Sequence, residues 1–161
     1  MLRTVKIMLV GAVALWGLLG ALGNVTDWGG TMGAVGAATS MVTFEGGADS
    51  WKATSNPGVI WAGALFIMLS KVVAGILCAI AMAHMVGART SDAASFQAAK
   101  TYALAGSGII MFMLFGGFII VADGWFELWR SEAMRGPVLD SAFRYGAMIM
   151  LIALFVGAKD D

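Results

Sequence analysis

Residues 58–86 carry a single charged side chain, Lys71, in a run of 29 otherwise apolar or small positions broken only by Ser70 and His84. As a helix that run is about 43 Å long, more than the ~30 Å hydrocarbon core of a bilayer, so it crosses a membrane with tilt or projects beyond it. Three more apolar segments flank it, and the reading is an all-α, four-transmembrane-helix bundle. It forms one integral membrane domain over residues 1–161, with helices at about 5–22, 58–86, 102–129 and 143–158. The charged fraction agrees: 12%, about half of what a soluble domain carries. Net charge is zero, so there is no basic footprint for nucleic acid. The single cysteine, Cys78, lies in an apolar segment and can form no internal disulfide.

Arg3 and Lys6 precede the first segment and Leu-Gly-Ala-Leu-Gly follows it, an order that also fits a secretory leader. The segment is read as a retained helix, whose Gly17, Gly20 and Gly23 leave one face bare for a neighbour. Residues 23–57 form an extended first loop, with a short surface helix expected around Met32, Val35, Val42 and Phe44. In the second segment Gly75, Ala79, Ala83 and Gly87 recur every four residues, a small-residue stripe for close helix packing. Residues 87–101 read as a short polar loop with Ser91 or Asp92 as an N-cap.

The third segment ends in Asp123-Gly124-Trp125-Phe126-Glu127-Leu128-Trp129-Arg130, where Trp residues at i and i+4 mark a membrane interface. With four spans, both termini and the 87–101 loop share a side. Basic residues divide five to four between the two sides, and Arg3 and Lys6 tip the choice toward cytoplasmic termini. Trp28, Trp51, Trp61, Trp125 and Trp129 then fall at the outer face.

Three pieces together carry a resemblance: Asn24-Val25-Thr26-Asp27 after the first helix, Trp51-Lys52 before the second, and the run from Trp125 to Ser131 after the third. The chain resembles, over nearly its whole length, a bacterial family of predicted small integral membrane proteins of unknown function. Gly124 stands where that family's pattern has Glu, and Lys71 falls near an acidic position in the second helix. The resemblance implies four helices and a bacterial inner membrane, and supplies no activity.

Lys71 is the most unusual residue, because a cation at mid-bilayer costs at least ~2.5 kcal/mol. It is expected to pair with a carboxylate, either Asp123 or one on a neighbouring subunit; the competing reading is a lysine that snorkels to the interface. His84 is the only histidine. It could ligate a haem only with a methionine such as Met82, Met111 or Met113, and an interfacial role is the simpler reading. No metal-ligand or catalytic constellation is present in the pattern. Asn24, Asp27, Trp51, Lys52, Asp123, Trp125, Trp129 and Arg130 form the candidate interaction surface, since Trp and Arg dominate binding energy. The chain is therefore expected to be a non-catalytic accessory subunit of a larger bacterial inner-membrane complex, of the energy-converting kind. Its partners would be other membrane subunits and lipids, with no cofactor beyond a bound lipid or quinone. A small homo-oligomeric transporter or channel is the alternative, and a quinone- or cofactor-associated protein the third.

Overall fold

The computed structural model describes residues 1–160. Its elements are α1 (Leu2–Thr26), α2 (Trp28–Thr39), α3 (Pro57–Gly87), α4 (Ala93–Ala99) and α5 (Thr101–Met111), which continues as a π-helix over Phe112–Trp125. A 3-10 turn at Leu128–Arg130 and the short α6 (Glu132–Met134) follow, then a π-helical turn at Arg135–Asp140 and α7 (Ser141–Gly157). Among the described residues, four stretches are long and apolar enough to cross a membrane: Leu2–Thr26, Pro57–Gly87, Ala93–Trp125 and Glu132–Gly157. The all-α, four-span architecture is the one the sequence indicates.

The largest difference lies in the third span. Where a polar loop is expected up to residue 101, a helix already begins at Ala93. Asp92 caps it, its carboxylate accepting from the Ser95 backbone N–H and the Ser95 hydroxyl, each at 2.9 Å. The Ala-rich stretch behind that cap favours helix more than its polar flanks suggest. The span ends at Trp125 rather than 129, and Glu127 then turns the chain with a φ of 52°. The fourth span begins nine residues before α7, at Glu132, where Ser131 accepts from the Met134 N–H at 3.2 Å.

The four spans pack as a closed ring: α1 on α3, α3 on the third span, the third span on α7, and α7 back on α1. Small residues set the close approaches, as expected where lipid supplies little hydrophobic drive between helices. A Cβ on Gly17 would lie 2.9 Å from the Lys71 carbonyl oxygen, and one on Gly106 2.9 Å from the Ala74 carbonyl oxygen. The stripe expected on α3 serves this purpose only at one end. Gly75 is buried against Leu18 and Ala79 is half-buried, but Ala83 and Gly87 are exposed. A straight α-helix turns by more than a strict four-residue repeat allows, so the stripe winds away from α1. Ala74, Cys78, Ala81 and Met85 fill the centre instead.

The first loop is anchored by α2. Asp27 caps it through the Gly30 N–H at 2.9 Å. Trp28, Val35 and Gly36 all meet α3 within the turn Ile60–Gly63, so α2 crosses α3 steeply, as a surface helix does. The expected helix extended to Phe44, but α2 ends at Thr39. Val42 and Phe44 lie beyond it, after Met41, which takes a φ of 54°.

Candidate ligand-binding site

Lys71 sits halfway along α3, yet not halfway across the bundle. α3 has 31 residues and overshoots α1, which has 25 and ends beside Lys71. A helical side chain leans toward its own N-terminus, which for Lys71 is the Trp-rich end. Its stem lies along Gly20, whose missing Cβ would stand 3.3 Å from Lys71 Cδ. The ammonium donates to Asn24 Oδ1 at 2.7 Å. Asn24 is eighteen residues beyond Lys6 on α1, about 27 Å along the axis. The cation therefore lies off-centre, toward the Trp-rich end of the bundle.

The expected Lys71–Asp123 ion pair is not formed. Among the described residues no carboxylate lies within 4.0 Å of Lys71. Asp123 belongs to the third span near its end, and its Oδ1 is buried without a hydrogen-bond partner among those residues. The amide of Asn24 takes the acid's place because the short α1 delivers its last turn there. Asn24 in turn donates through Nδ2 to Thr31 Oγ1 at 2.9 Å, and Thr31 donates to the Asp27 carbonyl at 3.0 Å. One chain of hydrogen bonds thus ties α3 to α1 and α2.

Above Lys71 the bundle carries a half-open apolar pocket. With α1 ended, its place beside α3 is taken by α2 running crosswise, and a cavity of about 710 Å³ opens between α2, α3 and the π-helical stretch. Ala34, Ala38, Ala62 and Gly116 keep the lining small, Gly63 and Gly117 let Val35 and Phe66 approach closely, and Phe66, Phe112 and Phe118 supply apolar wall. Leu128, Met134 and Val138 line its far end. Lys71 is its one charged lining residue, with Asn24, Thr31 and Thr39 the other polar ones. Long π-helical stretches are rare, and single π turns are frequent at functional sites. Here the wider helix lines the cavity.

Four residues of the candidate interaction surface, Trp51, Lys52, Trp125 and Arg130, come together at the Trp-rich end. Trp51 meets Trp125 edge-to-face with ring centroids 5.4 Å apart. Lys52 pairs with Glu127 at 2.5 Å, and Arg130 pairs with the same carboxylate at 3.0 Å. Arg130 also donates to the Glu45 carbonyl at 3.1 Å and stacks over Phe44. These hydrogen bonds, Lys52's first and then Arg130's, hold the Glu127 carboxyl below its ordinary value. Asp27 is occupied as the α2 cap. Trp129 is exposed. His84 lies exposed toward the opposite end, its ring 5.8 Å from Tyr102. Sequence reasoning passed over Thr31 and the Gly116–Gly117 pair. Only the adjacent glycines in an otherwise bulky run hinted at an open wall.

A second polar cluster lies at the termini. Lys6 and Lys100, both essentially inaccessible, converge on Asp160 and on the Ala158 carbonyl, at 2.8 and 2.9 Å from the latter. Burial pushes the Asp160 carboxyl up, but the hydrogen bonds from Lys100 and Lys6 outweigh it and hold it below its ordinary value. Lys6 and Lys100, counted from sequence as loop charges, are structural.

A family model described as predicted small integral membrane protein (DUF2165) matches residues 2–159. The chain belongs to that family. No curated protein and no solved structure matches it.

Proposed function

We propose that this member of the family works by binding rather than by catalysis. It holds an amphiphilic molecule from the bilayer in the Lys71 cavity, as a non-catalytic accessory subunit of a larger bacterial inner-membrane assembly. The observation that carries this reading is the 710 Å³ apolar cavity with one cation at its inner end. Ligand pockets occupy roughly 300–1,000 Å³ and combine apolar walls with a few convergent polar groups. The termini would face the cytoplasm and the Trp-rich end the outside.

Membership of an assembly draws its support from the Trp-rich end. Trp51 and Trp129 stand exposed beside the Lys52–Glu127–Arg130 network, and Trp and Arg are enriched among the residues that dominate binding energy at interfaces. An energy-converting assembly, respiratory or photosynthetic, is the class proposed. A homo-oligomeric transporter or channel remains the alternative, and would appear as a symmetric self-assembly.

Extraction into nanodiscs from the native membrane, followed by native mass spectrometry, tests both parts. The expected result is an amphiphile and further subunits retained with the chain. Filling the cavity by Ala34→Trp should release the amphiphile and spare the subunits. A chain that carries no amphiphile in either form would overturn the binding reading, and one that travels alone would overturn the assembly.

A further inference from the structure

Resting on the binding reading above, we infer that the cavity selects an anionic amphiphile, whose carboxylate or phosphate head sits on Lys71 and whose hydrocarbon lies along the aromatic wall. The argument is the direction of the hydrogen bonds. Thr31 donates to the Asp27 carbonyl, Asn24 spends an amide N–H on Thr31, and the Asn24 carbonyl oxygen receives Lys71. Acceptor capacity near the ammonium is therefore committed within the protein. An ammonium has three donors, and Asn24 takes one, so what Lys71 offers the cavity is donors and a positive charge.

Charge decides between ligand classes. No carboxylate among the described residues lies within 4.0 Å of Lys71, and an uncompensated cation beside hydrocarbon is costly. A neutral head such as a quinone carbonyl or a glyceride ester accepts a hydrogen bond but leaves the charge unbalanced. A carboxylate or phosphate accepts both remaining donors and neutralises the lysine, in the stronger charge-assisted kind of bond. The apolar wall of Phe66, Phe112 and Phe118 accounts for the rest of the molecule. A free inorganic anion would leave that wall without an occupant.

The test uses the full chain in phosphatidylcholine nanodiscs doped separately with oleate, phosphatidylglycerol or a ubiquinone, with retained molecules counted by native mass spectrometry. Enrichment of oleate assigns a carboxylate head, and enrichment of phosphatidylglycerol a phosphate head. Lys71→Met should lower the enrichment about tenfold, the factor that one charge-assisted hydrogen bond carries, and Lys71→Arg should keep most of it. Ala34→Trp should abolish it with Lys71 in place, which guards against misfolding of the Met variant. Preference for the quinone, or enrichment unchanged in Lys71→Met, would overturn the anionic assignment while leaving amphiphile binding intact. Retention of none of the three and of no phosphatidylcholine, with or without Ala34→Trp, would overturn the binding reading itself.

Discussion

Lys52 closes on Glu127 at 2.5 Å across 75 positions of sequence, and it does so at a residue whose φ is 52°. A left-handed non-glycine residue is strained by roughly 1–2 kcal/mol, so the turn after the third span is held by its contacts. Glu127 has its carboxyl lowered by Lys52 and Arg130. The sign follows: the clamp's contribution is present above the unfolded carboxylate value of about 4.3 and is lost as pH falls through the lower folded value. Proteolysis of the 40–56 loop should therefore be flat from neutral pH down to about pH 5 and accelerate only under stronger acid. In Glu127→Gln the loop should be cut faster at neutral pH, with the acid dependence reduced.

The opposite end of the bundle depends on one carboxylate for two buried lysines. Asp160→Asn would leave Lys6 and Lys100 charged with only amide and carbonyl oxygens around them among the described residues. The expected loss is on the order of 3 kcal/mol, the low end for breaking a buried pair, because the site lies at an edge of the bundle. Lys6→Met combined with Asp160→Asn should recover part of that loss, since it removes one of the stranded charges. Thermal unfolding in detergent at pH 7 measures both. The stabilisation from Asp160 is present above the ordinary aspartate value of about 3.9 and disappears as pH falls through its lowered one. A single variant as stable as the parent would show that the cluster is solvated.

The close approach of α1 and α3 gives a sharper contrast. A Cβ on Gly17 would press on backbone, the Lys71 carbonyl at 2.9 Å and Gly75 Cα at 3.1 Å, which cannot swing aside as a flexible side chain can. Gly17→Leu should cost about 1–3 kcal/mol, the range for overpacking. Ala83→Leu, eight residues beyond Gly75 on the stripe read from sequence but exposed, should change stability by less than about 0.5 kcal/mol. Equal effects at the two positions would mean that α3 presents a different face to α1.

What was legible in the sequence and what was not divide along physical lines. The four spans could be read because a bilayer demands about twenty apolar residues per helix whatever the tertiary context. The meeting of Trp51-Lys52 with the turn after Trp125 could be read because both leave the membrane on one side. The partner of Lys71 could not, because it depends on α1 ending where α3 continues, a difference in length between two helices distant in sequence. The cavity follows from that same mismatch. The π-helical stretch was invisible because Phe112 to Val121 is apolar all round, so no periodic face reports the winding. Lys6 and Lys100 were counted as loop charges because their acid, Asp160, lies at the far end of the chain.

Two tryptophans four positions apart at the end of the third span should behave differently. Trp125, itself 47% exposed, meets the Trp51 ring edge-to-face, with Lys52 6.0 Å from its centroid, so its contacts are with the chain's own surface loop. Trp129 is 57% exposed, and its neighbour Arg130 is already held by Glu127 and Glu45. An aromatic that contributes little to its own fold, held beside a fixed charge, is available to a partner. Trp125→Ala should therefore lower thermal stability by about 1 kcal/mol, the scale of an aromatic pair with its burial, and loosen the 40–56 loop. Trp129→Ala should leave stability and loop proteolysis unchanged but weaken retention of co-extracted subunits by about tenfold or more, as loss of an interface anchor does. Should Trp129→Ala retain every subunit while Gly17→Leu sheds them, the contact with the assembly would be made between spans within the bilayer, and Trp129 would be an interfacial anchor in lipid.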